Sequence, residues 1–445
     1  MTNEPPSATP SLTRRRFLGA AAGLGALAAA PPLVSNIRNR SRDSPVEAQL
    51  GTVLPASSRR AEAGDLIVVS IQLGGGNDHL NTVVPLNSGP YRDLRRDGAI
   101  RGENMIAIDS EYGMFAMPYL ASQWDQGDLA IVHGVGYEGS TLSHFDDTDV
   151  WEKGDTDSST PTGWIGRALH AAANGQGDPL LGMSLGDLSP SMRAPGWNPV
   201  ALPAYGNVPW TRDDRESWSS AARGFDRLVQ PDRTDSTLAA AVRTGQSLVF
   251  ELADLVGPAL ENRIDYDEEP QVMTGGSERF FPGEEYVNAG ELGEQLVIIA
   301  DLINAGIPTR AFHVQQGGYD THGDQADSHP QLIRQLDLAI EAFHKRLGPN
   351  VEKVVVATWT EFGRTPEWNG AGTDHGTAGM QLVVGPHAVG GHHGEAPSLT
   401  SFDRDGNFIV TTDFRSYLGG VVEGALGVSA GDVFDSRPRP LEVVS

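Results

Sequence analysis

Thr309-Arg310-Ala311-Phe312-His313-Val314, then the helical run that Ser328-His329-Pro330-Gln331-Leu332 opens, then Val354-Val355-Val356-Ala357: these three pieces, in this order, decide the fold. The first and last are short apolar runs, the pattern of strands buried on both faces. Between them Leu332, Leu336, Ala339, Ile340, Phe343 and Leu347 recur on one helical face, and Ser328 with Gln331 three residues on predicts a capping box that starts the helix there. Strand, helix, strand in succession predicts an α/β fold, with a mostly parallel sheet covered by helices on both faces.

The same pattern extends outward from this unit. Leu66-Ile67-Val68-Val69-Ser70-Ile71-Gln72-Leu73 reads as a buried strand that feeds a tight loop, Gly74-Gly75-Gly76-Asn77-Asp78. Further strands are expected at 129–133, near 180–185 and at 382–384. A helix carrying Leu292, Leu296, Ile299 and Leu302 ends at Gly306 and Pro308. From about 187 to 289 the reading is of a loop-rich insertion: Pro190, Pro195, Pro199, Pro203 and Pro209 interrupt it, and residues 261–285 are polar and acidic. Within it a helix is predicted over 235–257 through Leu238, Val242, Leu248 and Leu252. Residues 65–445 are otherwise expected to form a single domain.

The N-terminus reads differently. Arg14-Arg15-Arg16-Phe17-Leu18 precedes an uncharged run from Gly19 to Val34, with Ala28-Ala29-Ala30 offering small residues for cleavage. That is the pattern of a twin-arginine export signal over 1–34, with the export machinery as the implied partner and a periplasmic or extracellular destination. The run falls short of the roughly 20 apolar residues that span a bilayer, so no stable membrane insertion is expected after cleavage. Residues 35–64 lack a sustained apolar period and read as a flexible linker.

Composition narrows the chemistry. With 445 residues, 39% hydrophobic and 20% charged, the chain can bury a sizeable core. A formal charge of -25 argues against a nucleic-acid partner, because neutralising phosphates takes clustered Lys and Arg. The chain has no cysteine, which excludes disulfides, thiolate catalysis and Cys-ligated metals.

What remains is oxygen and imidazole chemistry, and it is concentrated. Eight of the 12 histidines fall between residues 307 and 394, beside Asp320, Asp324, Glu361, Arg364 and Asp374. Ligands of α/β sheets gather outside the carboxyl ends of the strands. Asp78, Ser143, Asp320, His322 and Glu361 all lie a few residues beyond such ends, and Asp374-His375 lies between strands and could fold back to the same rim. Asp78, Asp320, His322, Asp374 and His375 would supply five of the roughly six ligands that a pair of divalent ions needs, zinc or manganese by donor type. Ser143 reads more readily as a helix cap than as a nucleophile. Arg364 reads as a clamp for an anion, and Glu361 as a ligand, a base or a partner of Arg364.

Two other motifs carry less. Gly182-Met183-Ser184-Leu185-Gly186 matches a nucleophile elbow, but Ser189-Pro190 spoils the helix that must follow. Gly74 and Gly76 begin a dinucleotide fingerprint whose third glycine is replaced by His79.

Taken jointly, the leader, Gly75-Gly76-Asn77-Asp78-x-Leu80-Asn81-Thr82, Ser143-His144-Phe145, Gly163-Trp164-x-Gly166-Arg167, Tyr319-Asp320-Thr321-His322, Glu361-Phe362-Gly363-Arg364-Thr365 and Asp374-His375-Gly376 resemble the domain of unknown function 1501 family of exported bacterial proteins. That family looks like a branch of the alkaline phosphatase and sulfatase superfamily. The resemblance implies an alkaline-phosphatase-like fold and an exported hydrolase of phosphate or sulfate esters, with one or two divalent ions and a small anionic ester as substrate. It implies Asp78 as the early metal ligand, Ser143 at the nucleophile position, Asp374 and His375 as an adjacent ligand pair, and Asp320 and His322 on the other metal. The late histidine is one of His387, His392 and His393, with His392 the choice. A non-catalytic exported protein that keeps the fold for binding or envelope assembly is the alternative.

Overall fold

The computed structural model describes residues 66–102, 105–157, 159–204, 253, 255–259, 289–436 and 439–445. The expected leader, linker and acidic loop at 261–285, and most of the helix expected at 235–257, lie outside them. The chain divides into two compact units, one of residues 1–53 with 208–261 and one of 54–207 with 262–445. In the first, the described residues 253 and 255–259 are helical, with Ala253 and Val256 buried. No described helix is long and apolar enough to cross a membrane.

The second unit is an α/β structure on one large mixed, mostly parallel sheet. In chain order its elements are β1 (Ile67–Leu73), α1 (His79–Thr82), β2 (Val83–Pro85), α2 (Gly89–Arg95), β3 (Met105–Ala107), β4 (Tyr112–Phe115), α3 (Pro118–Gln126), β5 (Leu129–Gly136), α4 (His144–Lys153), α5 (Trp164–Ala172), β6 (Gly182–Leu185) and β7 (Val200–Leu202). There follow α6 (Gly290–Asn304), β8 (Ala311–Gln316), α7 (Gln325–Leu347), β9 (Val354–Trp359), β10 (Gly363–Arg364), β11 (His375–Gly376), β12 (Gly379–Val384), β13 (Gly391–His393), β14 (Thr412–Asp413) and α8 (Phe414–Val421).

The main sheet runs β13-β5-β12-β9-β1-β8-β6-β7, with β14 also on β5. β1 lies between β8 and β9, parallel to both, while β12 is antiparallel to β9 and to β5. Both alternations of the strands are buried: Val68, Ala311, Val355 and Val383 on one face, Val69, Phe312, Val356 and Val384 on the other. The first set shares a core with Trp151 of α4, Trp164 of α5 and Tyr417 of α8, and Trp151 stacks on Trp359. α6 packs against α7 and β8. β2, β4 and β3 form a small antiparallel sheet of their own.

α7 starts one turn before the expected capping box. Its N-cap is Asp324, in the left-handed region at φ 53, and Ser328 lies inside the first turn donating its hydroxyl to Asp324 O at 2.9 Å. The apolar face is as the period predicts, with Leu336, Ile340, Phe343 and Leu347 buried. Ser184 is fully buried and Pro190–Met192 forms a 3-10 turn, so the elbow-like sequence builds no exposed nucleophile.

Candidate metal centre

The order of the strands explains why polar groups meet at one edge. β1, β8 and β9 are adjacent and parallel, so the loops leaving their carboxyl ends converge. β12, being antiparallel, begins at that same edge. The chain therefore leaves β9, makes the β10–β11 hairpin and enters β12 without crossing the sheet, and the hairpin carries Asp374 and His375 to the rim. β5 ends at this edge too and leads into Leu142, Ser143 and His144 at the start of α4. Gly75, at φ 120, lets the β1 loop lie against the β8 loop: a Cβ there would stand 2.3 Å from Asp320 N.

Three imidazoles surround Asp320. His375 Nδ1 lies 2.8 Å from Leu142 O, His322 Nδ1 lies 2.8 Å from Asp374 Oδ1, and His144 Nδ1 lies 2.7 Å from Glu361 Oε1. A carbonyl and two carboxylates can only accept, so each ring has a proton on Nδ1, and in its neutral form presents a lone pair at Nε2. Those lone pairs converge. His322 Nε2 and His375 Nε2 are 2.9 Å apart and each lies 3.0 Å from Asp320 Oδ1, while His144 Nε2 stands 3.3 Å from Asp320 Oδ2 with no hydrogen-bond partner. Donor separations near 3 Å match the roughly 3.3 Å edges of a tetrahedral shell with bonds of about 2.0–2.1 Å.

The ligand atoms of His144, Asp320 and His375 all fall within 4.8 Å of one another. One carboxylate with imidazole nitrogens suits zinc or manganese, and acceptors on the remote ring nitrogens are how metal-bound histidines are held. The residues present therefore fit a divalent ion.

The surrounding groups hold this geometry. Arg364 is fully buried and donates to Gly76 O at 2.7 Å, Thr373 O at 3.0 Å, Tyr319 O and Asp320 Oδ1 at 2.8 Å, and also to Gly75 O. It ties three loops together. Burial opposes ionisation of Asp320, but the hydrogen bond and charge of Arg364 outweigh it and hold the carboxyl well below the usual range. For Asp374 the hydrogen bond to His322 is the main cause of a lowered pKa. Leu142 adopts φ 59, a strained conformation for a residue with a Cβ, and its carbonyl bonds His375 from there.

Asp320, His322, Asp374 and His375 are thus brought together as the sequence predicted, with Asp374 one step out, behind His322. Other expectations are corrected. Asp78 is wholly buried, with Oδ1 2.6 Å from Arg95 NH2 and 3.1 Å from Leu80 N, and Oδ2 2.6 Å from Gln325 Nε2. Its oxygens are taken, so it buttresses the site: Gln325 Oε1 accepts from Thr321 Oγ1 at 3.1 Å and from Thr373 Oγ1 at 2.6 Å, the neighbours of Asp320 and Asp374. His392 lies elsewhere, bonded to His133 at 2.7 Å and Asp109 at 2.8 Å beside Tyr112 and Trp124. His387 bonds Glu352 O and His393 bonds Val389 O. Arg364 has its guanidinium committed to carbonyls and Asp320, which leaves it no open face for a substrate anion. Glu361 accepts from Gly75 N and holds His144, an orienting role.

Ser143 occupies the N-cap of α4, but its side chain makes no capping bond. Its neighbour His144, not among the residues expected at the site, is the one that turns its ring to Asp320. The rule applied to the other loops, a ligating side chain a few residues past a strand end, covers His144 as well. Gln325 had no such signal, since a polar residue opening a helix reads as solvated.

Fold and site together define an α/β protein with an imidazole and carboxylate centre at the carboxyl edge of its sheet. Residues 162–412 match the family described as "Protein of unknown function (DUF1501)", and the chain belongs to that family. No curated protein matches the chain. Among solved structures, "Crystal structure of Ps i-CgsB" is similar at 8% identity and a TM-score of 0.36, over 84% of this chain and 75% of that one.

Proposed function

We propose that the chain is a metal-dependent hydrolase of phosphate or sulfate esters, with a fold of the alkaline phosphatase and sulfatase kind, exported through the twin-arginine route that Arg14-Arg15-Arg16-Phe17-Leu18 suits. The observation that carries this reading is the convergence of three imidazole Nε2 atoms on Asp320, with His144 Nε2 left without a hydrogen-bond partner. A divalent ion held there supplies Lewis acidity to an ester oxygen and lowers the pKa of the attacking hydroxyl or water. Glu361, Asp374 and Leu142 O keep the three rings turned inward. Ser143 is the candidate nucleophile, with a hydroxyl uncommitted to capping at the positive end of α4. The partners that go with this reading are a small anionic ester and the export machinery.

The test is ion content of protein purified without chelator, together with phosphatase and sulfatase substrates on wild type, Asp320→Asn and His375→Ala. Bound ion and turnover lost together in both variants supports the hydrolase. The second reading, a non-catalytic exported protein using the site for binding or envelope assembly, draws on the openness of the centre: the Asp320 side chain is 46% exposed and that of Asp374 60%. A bound ion without turnover of any ester selects it.

A further inference from the structure

The charges gathered at the rim do not balance, and the imbalance limits what can bind there. Asp320, Asp374 and Glu361 face a single guanidinium, Arg364, which leaves two negative charges in excess. Asp78 and Arg95 do not alter this, being a closed neutral pair. One divalent ion cancels the excess and no more.

A second ion has no comparable donor set. Asp374 Oδ1 already accepts from His322 Nδ1 and, at 3.2 Å, from Asn369 Nδ2, and Glu361 Oε1 from Gly75 N and His144 Nδ1. Among the described residues His144, Asp320 and His375 form the sole cluster of three such groups. We propose that the centre takes one ion and selects esters carrying a single negative charge, phosphodiesters or sulfate monoesters, over phosphate monoester dianions. This rests on the hydrolase reading above.

A neutral centre in a chain of formal charge -25 gives a dianion no net attraction, whereas a monoanion meets half the repulsion. The same balance favours turnover. In the net reaction, whether Ser143 or water attacks first, water's oxygen ends on phosphorus or sulfur, the P–O or S–O ester bond breaks, and the alcohol leaves with one proton of the water. The other proton passes to solvent, so the product is a dianion that the neutral centre holds less well than the substrate.

The full chain, purified without chelator, is weighed by native mass spectrometry for ions per chain and titrated calorimetrically at pH 8 with dimethyl phosphate, methyl sulfate and methyl phosphate. Turnover of bis(4-nitrophenyl) phosphate, 4-nitrophenyl sulfate and 4-nitrophenyl phosphate is measured beside it, the first two separating diester from sulfate ester. One ion per chain is expected, with at least one monoanion bound severalfold more tightly than methyl phosphate. Asp374→Asn should narrow that ratio. Two ions per chain, or methyl phosphate bound as well as either monoanion, overturns the inference while leaving a hydrolase standing if esters are cleaved. The expected ion count and anion preference with no ester cleaved overturns the hydrolase reading and leaves the charge selectivity as a property of a binding site. No binding of any of the three anions overturns the inference outright.

Discussion

Asp78→Asn separates a ligand from a buttress, because the two roles predict opposite outcomes. Asp78 and Arg95 are both wholly buried and 2.6 Å apart. Removing one partner of such a pair strands the other charge, at a cost of about 3–5 kcal/mol. Here Arg95 keeps Thr365 O at 2.7 Å and Pro366 O at 2.5 Å, and asparagine can still accept from Leu80 N, so the low end, about 3 kcal/mol, applies. In a unit of this size that is a fall in Tm on the order of 5 °C. The pH dependence follows from the sign of the shift. Burial raises the Asp78 pKa, but Arg95, His329 and His79 together outweigh it and the folded value is depressed. Its contribution is complete above the unfolded value near 3.9 and is lost as pH falls through the lower folded value. The gap between wild type and variant should therefore be constant from about pH 5 to 8 and close only in strong acid. Denaturation of ion-loaded and chelated protein, with ions per chain measured on both variants, decides the matter. Unchanged stability with the ion gone would refute the buttress and restore Asp78 as a ligand.

Glu361→Gln should weaken ion affinity about 10- to 100-fold by freeing the His144 ring, read by competition with a chromogenic chelator; unchanged affinity would remove Glu361 from the support of the site. Gly75→Ala forces a Cβ to within 2.3 Å of Asp320 N from φ 120, and should cost about 3 kcal/mol or more together with ion binding. Full ion content in a stable Gly75→Ala protein would show that the loops need not approach so closely. Burial lowers the pKa of His313 to about 4. It therefore stays neutral in the folded chain while the unfolded chain binds a proton below about 6.5, so this one group should lower stability by about 1 kcal/mol per pH unit as pH drops from 6.5 towards 4. Burial lowers His79, His133, His329 and His344 into the same range, so His313→Gln should lessen the decline of Tm across that window by its one share.

Much of the layout can be read from residue patterns, and the failures have identifiable causes. β1, β8 and β9 announce themselves because strands buried on both faces must be apolar throughout, as Ile67–Leu73 and Val354–Trp359 are nearly so. Edge strands of two or three residues, β7, β13 and β14, are too short for a period to show. Nor does composition encode direction, which is why β12 could be expected as a strand but not as the antiparallel one. At the site, the meeting of Asp320, His322, Asp374 and His375 follows from the rule that loops past strand ends converge. Asp78 obeys the same rule and fails, because sequence does not show that Arg95 and Gln325 will take up its oxygens. His392 fails for a different reason: β13 pairs with the middle of β5, at Ile131, and so carries its histidine away from the rim.

The reversed strand is what makes the centre possible. Were β12 parallel to β9, the chain leaving β9 would have to return the length of the sheet before entering it, and a hairpin of two-residue strands could not span that distance. Because β12 starts at the rim, β10 and β11 need only turn in place, and the Gly363↔Gly376 and Arg364↔His375 pairing puts the residue that clamps three loops opposite one of the converging imidazoles. Arg364 then fixes Asp320 from below while Leu142 O fixes His375 from the side. The two cannot be positioned independently: a shift of the hairpin that moved His375 would also withdraw the guanidinium from Asp320. Ligand placement and loop cohesion thus depend on the same few bonds, and substitutions that loosen the hairpin should cost stability and ion affinity together.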